Sequence, residues 1–266
     1  MVQTSDADQL SLDLPYDDSP PADVDRDQLL SWLERLRAVY LRGGLGGTVH
    51  EVYPSVPPGS RENYLYFTLA PSLNFQRNSE GLWRSALATY SDAATAFVFF
   101  PENCDRDVDD YRTALSLHRL ALQPNKHTDI WYRISQVMYA EFDSDPRVLI
   151  QKFDCDVVKI KAYVQENKRK FPYIGGPKLL NYWLYMLTVF TDVSFSSRHE
   201  ISIIPDLHIC RATHRLGLVD ESKVENAQFV ASAWKALLDG TDIAPCDLHG
   251  PLWRWSRAAF PDLDRL

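Results

Sequence analysis

Apolar residues recur every three to four positions along most of the chain, which is the spacing of one face of an α-helix. Nine stretches show this pattern: 29–40, 61–73, 80–90, 108–122, 128–138, 156–167, 178–190, 206–216 and 224–238. The alternation of apolar and polar residues that marks a half-buried strand is scarce. Only the short runs 97–100 and 200–204 resemble it. The pattern therefore predicts an all-α fold.

Glycine and proline residues interrupt these helices at three places. Four glycines fall within 42–47, and three prolines fall within 52–59. Gly175 and Gly176 separate the helices predicted at 156–167 and 178–190, where they allow a compact turn with positive φ. This turn leads into a helix N-terminus, whose free N–H groups and positive dipole end favour a phosphate. A plain turn between two helices is the alternative interpretation.

Residues 1–28 differ in composition from the rest of the chain. They contain eight aspartates, three prolines and a single arginine, so they carry −7 of the total net charge of −8. Such a segment cannot bury enough apolar surface to offset the entropy lost on ordering. Residues 1–28 are therefore predicted to be a disordered acidic tail, with Asp27 capping the first helix. Residues 29–266 then form a nearly neutral helical body.

The charges of the body are uneven, although an acidic chain disfavours indiscriminate binding of nucleic acid. Six cations lie close together in the sequence: Lys159, Lys161, Lys168, Arg169, Lys170 and Lys178. A charge run of this kind is usually a solvated helix face. Because the glycine turn lies beside it, a local phosphate-binding surface is the second interpretation.

The cysteines and the apolar runs bear on cofactors and location. Cys104, Cys155, Cys210 and Cys246 are widely spaced without a C-x-x-C pair, which excludes the usual spacings of structural zinc and iron–sulfur sites. Free thiols are typical of a reducing compartment. The N-terminus is acidic and polar, and the apolar run 183–190 is too short to span a bilayer. We therefore expect a cytoplasmic monomer without metal, cofactor or membrane contact.

Three segments resemble motifs of the helix-hairpin-helix DNA glycosylases. The run 171–181, FPYIGGPKLLN, resembles the hairpin that this family writes as L-P-G-V-G-x-K-[TS]-A-N. The run 205–219, PDLHICRATHRLGLV, resembles the following V-D-T-H-V-x-R-V-x-x-R-L-G-L and is the most specific of the three. The run 73–79, LNFQRNS, resembles the L-S-x-Q-x-[TS] region. Together they place the resemblance over residues 63–238, most of the body.

The resemblance implies a two-lobed helical fold with the active-site cleft between the lobes. It implies removal of a damaged or modified base from double-stranded DNA, in which Asp206 matches the aspartate shared by active members. Lys178 matches the Schiff-base nucleophile of the bifunctional members, and Gln76 matches the glutamine that fills the gap left by the flipped base. The candidate residues for binding DNA or the base are Asn74, Phe75, Gln76, Arg77, Lys170, Gly175, Gly176 and Arg211.

The reaction explains why these residue types are needed. Breaking an N-glycosidic bond develops positive charge on the sugar, which a carboxylate such as Asp206 stabilises while it orients water. The base must first leave the stack, at a cost of a few kcal/mol. Four aromatic residues are candidates for the pocket lining, and the last is more simply a core residue: Phe75, Trp83, Tyr182 and Trp183. The segment 247–253 either closes this pocket or is a packed C-terminal turn.

The chain departs from the family pattern in three ways. Tyr173 or Ile174 occupies the place of the first hairpin glycine, and the iron–sulfur cysteines of the endonuclease III branch are absent from the sequence. The distance from Lys178 to Asp206 is long, which implies an insertion within 191–202. These departures suggest a hypermodified base as substrate, either in DNA repair or in bacterial defence against phages with altered DNA.

The role of Lys178 and the class of the protein both stay open. Lys178 is either a nucleophile or a phosphate contact, and the resemblance needs only Asp206 for hydrolysis. A different enzyme class is an N-glycosidase of a free nucleoside, nucleotide or modified tRNA base, similar to a queuosine-salvage enzyme. A non-catalytic hairpin module that holds DNA is the third class, but it gives no reason for Asp206 or Gln76.

Overall fold

The computed structural model describes residues 25–46, 51–75 and 77–265, without the side chain of Arg265. These residues form helices and connecting turns but no strand, and an isolated parallel bridge joins Asp156 to Ser196. The prediction of an all-α fold is confirmed. The α-helices of the described chain are α1 Arg26–Leu41, α2 Arg61–Leu69, α3 Ser79–Ser91, α4 Val108–Leu117, α5 Pro124–Glu141, α6 Pro146–Lys152, α7 Val157–Glu166, α8 Pro177–Phe190, α9 Leu207–Arg215, α10 Glu221–Val224, α11 Ala227–Leu238 and α12 His249–Arg257.

The start of α1 corrects the predicted boundary of the acidic tail. Asp25 is the N-cap, and its carboxylate accepts the N–H of Asp27 over 3.4 Å. Asp25 and residues 26–28 are therefore the cap and the first turn of α1, and Asp27 is not its cap. The rest of the predicted tail, residues 1–24, lies outside the described residues.

Both candidate strands are helical turns or irregular segments. The first forms the 3₁₀ turn Ala96–Phe99, and the second follows the 3₁₀ turn Arg198–Glu200. A short apolar run satisfies a buried turn as well as a strand, so periodicity alone does not separate the two.

Local signals set most helix starts. A side-chain oxygen caps the first turn of α2, α3, α4, α6, α7, α9 and α11; the capping residues are Ser60, Asn78, Asp107, Asp145, Asp156, Asp206 and Asn226. Such a cap satisfies a backbone N–H that the helix leaves without a partner, and it contributes about 1 kcal/mol. Pro124, Pro146 and Pro177 open α5, α6 and α8, where the missing proline N–H has no cost.

Two hydrophobic cores organise the described chain. The first is built mainly by α2 to α8 around Trp83, Trp131 and Trp183. The second is built by α1, α9, α11 and α12 and contains Trp234. The N-terminal helix therefore packs with the C-terminal helices rather than with its neighbours in sequence.

The segment before α9 crosses from one core to the other. Ile204 is buried in the first core, whereas its neighbour Ile203 is buried in the second. Asp206 follows two residues later, so the cap of α9 lies where the two cores meet. Within the described residues, every helix is too short or too polar to cross a bilayer.

Candidate active site

The turn between α7 and α8 takes its shape from close packing. Tyr173 has the positive φ of 64°, whereas Gly175 and Gly176 do not. A Cβ atom on Gly175 would lie 3.1 Å from the carbonyl oxygen of Phe171 and 3.0 Å from Cγ of Lys168. The expectation of positive φ at the two glycines is therefore wrong, and close approach is what requires Gly175.

The N–H groups of this turn are partly occupied. Gly175 donates to the carbonyl of Phe171 over 2.8 Å, and Gly176 donates to the carbonyl of Tyr173 over 2.9 Å. These two groups are therefore not the free donors that the sequence predicted. Gly176 is the N-cap of α8 and supplies no side-chain cap, so the first turn of that helix is the place where an anion would meet unsatisfied N–H groups.

The segment around Phe75 meets the hairpin. The Phe75 ring is 46% exposed, and its centroid lies 5.0 Å from that of Tyr173. Phe75 and the hairpin line an open cavity of about 390 Å³, together with Lys168 and the solvent-exposed Lys178. The tertiary structure thus brings together two of the three segments that carry the resemblance.

The other candidates near Phe75 have protein partners or lie outside the described residues. Asn74 and Ser79 exchange hydrogen bonds of 2.9 and 3.2 Å, which close the loop before α3. Arg77 donates to the carbonyl of Leu120 over 2.8 Å, so a role in base binding would require this contact to break. Burial lowers the pKa of Arg77 to about 10. Gln76 lies outside the described residues.

The lysine-rich segment is only partly available to a ligand. Lys159 pairs with Asp154 over 2.7 Å, and Lys170 pairs with Glu141 over 2.6 Å. Lys161 is half-buried and donates to Oδ1 of Asn181 and to the carbonyl of Glu200. Burial lowers the pKa of Lys161. Lys161 and Lys170 therefore bind distant segments of the chain, whereas Lys159 pairs with the turn before its own helix.

Three cations of that segment are exposed and have no ion-pair partner among the described residues: Lys168, Arg169 and Lys178. Arg211 is also exposed, on the surface of α9, and no described side chain pairs with it. A phosphate-binding surface would therefore consist of these side chains rather than of the whole lysine run.

Asp206 is held by two N–H donors at the boundary of the cores. Its Oδ1 accepts the backbone N–H of Ile209 over 2.9 Å, as the N-cap of α9. Its Oδ2 accepts Nε1–H of Trp253, from α12, over 3.0 Å. The Trp253 ring in turn packs against His208 and lies under the guanidinium of Arg257. The carboxylate is half-buried and has a defined orientation.

His249 is a member of this site that the motifs did not single out. It is only 8% exposed, its ring centroid lies 4.8 Å from that of Tyr185, and its Nδ1 has no hydrogen-bond partner. Burial lowers the pKa of His249 to about 4; the carboxylate of Asp206 opposes this shift and the ammonium of Lys178 adds to it. Asp206 and Lys178, from different helices, therefore act on the same imidazole.

Asp206 and Lys178 also act on the thiol of Cys210. Burial raises the pKa of its thiol, Asp206 raises it further, and Lys178 lowers it. The charges of both candidate catalytic residues therefore act on one thiol, although a long segment separates them in sequence.

A polar wall next to His249 was also missed from the sequence. A Cβ atom on Gly250 would lie 2.6 Å from the hydroxyl of Tyr40 and 3.2 Å from that of Tyr185. Burial and then the carboxylate of Glu51 raise the pKa of Tyr40. Burial also raises the pKa of Tyr185, with Tyr40 and Glu51 as further causes. These residues come from opposite ends of the chain, and the only local signal was the unusual segment 247–253.

The tryptophans proposed for the pocket lie in the first core. Trp83 is 1% exposed and donates to the hydroxyl of Tyr182 over 3.1 Å. Trp183 is equally buried and donates to Oγ1 of Thr68. The interpretation of Trp83 as pocket lining is therefore wrong, and that of Trp183 as a core residue is confirmed. Tyr182 is buried as well, but Glu51 and Asp206 are among the charges that raise its pKa.

The contacts place a carboxylate, a neutral imidazole and two phenols around the start of α9 and the first turns of α12. In the described part of the chain, no group of three or more His, Cys, Asp or Glu side chains is arranged to hold a metal ion. No family model matches the chain, and no curated protein matches it.

Proposed function

We propose that this protein is an N-glycosylase of the helix-hairpin-helix type, which flips a damaged or modified base out of double-stranded DNA and excises it. One observation carries the proposal. The Asp206 carboxylate lies where the two cores meet, is oriented by two N–H donors, and shares its neighbourhood with Lys178. Under this proposal the two cores are the two lobes, and the cleft between them is the active site.

Asp206 would act on the sugar of the flipped nucleotide. As the bond between C1′ and the base nitrogen breaks, the electron pair leaves with the base and positive charge develops on the sugar. A fixed carboxylate stabilises that charge because it needs no reorganisation during the reaction. Asp206 would also orient the water that adds to C1′, and the proton of this water ends on the departing base or in solvent.

The hairpin and the Phe75 loop would hold the DNA. The uncapped first turn of α8, with Lys168 and Lys178 beside it, suits a backbone phosphate. Phe75 is exposed and adjoins the hairpin. This position suits a loop that inserts into the space left by the flipped base. Gln76 follows it directly in the sequence.

Lys178 suits phosphate contact better than covalent catalysis. An amine nucleophile must be neutral when it attacks, and burial or an adjacent cation promotes that state. Lys178 is exposed instead. We therefore propose a monofunctional hydrolase, in DNA repair or in defence against phages with modified DNA.

A second candidate is an N-glycosidase of a free modified nucleoside or nucleotide. The observation that favours it is the internal use of Lys159, Lys161 and Lys170, which leaves few cations for a DNA backbone. Binding of duplex DNA with a steep dependence on salt separates the two, because a free nucleoside needs no row of phosphate contacts.

The test is base excision by the full chain from duplexes that contain uracil, 8-oxoguanine, alkylated, hydroxymethylated or glucosylated bases. Asp206→Asn keeps a good N-cap but removes the negative charge, so it should abolish the abasic sites that alkali cleavage detects. Asp156→Asn is the matched control, because Asp156 caps α7 in the same way and does not contact Trp253. Full activity of Asp206→Asn would contradict the assignment. If the wild type excises no base from any duplex of the panel, the nucleoside enzyme is favoured.

Borohydride trapping tests the role of Lys178. A monofunctional enzyme leaves no covalent adduct with the cleaved duplex. An adduct that forms with the wild type and is lost in Lys178→Gln would show lyase chemistry instead.

A further inference from the structure

His249 is buried beside the site of Asp206 on α12 but has no task in the proposed step. It is the first residue of α12, and its ring packs edge-on against Tyr185 of α8, so it touches both cores. Only 8% of the residue is exposed, and its Nδ1 atom has no hydrogen-bond partner. A buried ring nitrogen left unpaired is costly, so it calls for an explanation, and a hydrogen bond to a ligand is one.

The surroundings of His249 favour a polar, uncharged ligand group. Tyr40 and Tyr185 point their hydroxyls over Gly250, the next residue of α12. The imidazole is neutral near pH 7 because burial lowers its pKa to about 4. A neutral imidazole offers one N–H donor and one nitrogen acceptor, which is the combination that the hydrogen-bonding edge of a nucleobase presents in return. A neutral ring with so low a pKa is a poor proton donor at this pH, so general-acid catalysis is disfavoured.

The position relative to Asp206 indicates which part of a nucleotide would meet this wall. His249 and Trp253 lie one turn apart on α12, and the indole of Trp253 donates to Asp206, so the imidazole lies on the helix face that meets the carboxylate. With the sugar held at Asp206, the attached base extends toward a neighbouring surface. His249, Tyr185 and Tyr40 supply that surface with an aromatic face and polar tips.

We propose that His249 is a specificity-determining residue that hydrogen-bonds the polar edge of the extruded nucleobase, with Tyr40 and Tyr185 framing the same pocket. This inference rests on the site of the proposed function. It applies equally to a base in DNA and to the base of a free nucleoside.

The first test observes the histidine ring directly. Full-length protein labelled with ¹⁵N-histidine is titrated with the four common deoxynucleosides and, in the Asp206→Asn background, with the modified duplexes. The His249 signals are assigned by their loss in His249→Phe. At least one probe should shift them, whereas His127 should not respond to the nucleosides. His127 is a matched internal control because it is 4% exposed and its Nδ1 already accepts the N–H of Leu122.

The outcomes separate this inference from the proposed function. If the wild type excises a base that leaves the His249 signals unchanged, the enzyme assignment stands and the inference is wrong. If no duplex is cleaved but a nucleoside shifts His249, the pocket stands and the DNA substrate is wrong. If nothing is cleaved and nothing shifts the ring, both are wrong.

The second test measures discrimination between bases. His249→Phe retains a ring of similar size but removes both nitrogens, so kcat/KM for the excised base should fall at least about tenfold. The ratio of kcat/KM for the excised base to kcat/KM for the other bases of the panel should become smaller. His249→Gln should restore part of that ratio. A residue with only a structural role would lower the melting temperature and leave the ratio of kcat/KM values between bases unchanged, which would overturn the inference.

Discussion

The indole N–H of Trp253 and the carboxylate of Asp206 form a 3.0 Å hydrogen bond that ties α12 to the N-terminus of α9. The other carboxylate oxygen of Asp206 caps α9 through the N–H of Ile209. A Pro-Asp pair before a helix is most simply a capping signal, and here the cap also lies where the two cores meet. Capping and catalysis are therefore compatible roles of this one side chain, since the cap is what fixes its orientation.

The Trp253 contact can be tested by removing the indole donor while an aromatic ring is retained. Trp253→Phe should lower kcat for base release about tenfold or more, because a hydrogen bond to a charged group contributes about 1.5–3 kcal/mol. Single-turnover excision assays measure this step. Trp32→Phe is the matched control, since Trp32 packs on Trp255 in the same core and makes no contact with Asp206. Equal losses in both variants would point to a general weakening of the second core.

Lys168 and Lys170 provide a paired test of the proposed DNA-binding surface. Lys168 is exposed beside the hairpin cavity, whereas Lys170 is paired with Glu141. Lys168→Gln should weaken duplex binding and reduce the slope of log K against log salt by about 1, the value for one phosphate contact. Lys170→Gln should leave that slope nearly unchanged. Fluorescence anisotropy over a range of salt concentrations measures both, and a larger effect at Lys170 would contradict the structural assignment.

Gly175 tests the close packing of the hairpin. Gly175→Ala should lower the free energy of unfolding by about 1–3 kcal/mol, because the added methyl group meets backbone atoms of Phe171 and Lys168. Gly81→Ala is the control within α3, where the nearest atom to an added Cβ lies 3.7 Å away. That variant should gain about 0.5–1 kcal/mol from the better helix propensity of alanine. Urea denaturation of both variants gives the comparison, and unchanged stability of Gly175→Ala would show that the turn relaxes freely.

His249 makes stability depend on pH in a defined direction. The pKa of His249 is lowered from 6.5 to about 4 in the folded state. Unfolding at a pH between these two values takes up a proton, so the contribution of the neutral ring to stability is fully present only above pH 6.5. This effect is lost as the pH falls from 6.5 toward 4, and between pH 7 and pH 5 the loss is about 2 kcal/mol by linkage. His249→Phe should lack this share of the pH dependence. The free energy of unfolding of both proteins is measured against pH by urea denaturation. An equal loss in both as the pH falls would contradict the prediction, because it would show that the folded protein does not keep the imidazole neutral.

The sequence alone was enough for the features that depend on neighbours along the chain. The 3.6-residue period predicted the all-α class, and the polar residues and prolines before each apolar run marked helix starts such as those at Asp206 and Pro177. Positions one turn apart share a face in any α-helix, so this information is local. The boundary at Asp25 was missed because several aspartates there are equally good caps.

Only the tertiary structure decided which charged groups are available and which residues share the cleft. Lys170 and Arg77 carry positive charge in any sequence context, but Glu141 and the carbonyl of Leu120 come from distant segments and occupy them. His249, Tyr40 and Glu51 converge only because α1 packs into the core of the C-terminal helices. Burial, ion pairing and the pKa shift of His249 arise from contacts between segments far apart in the chain, and helical periodicity carries no record of those contacts.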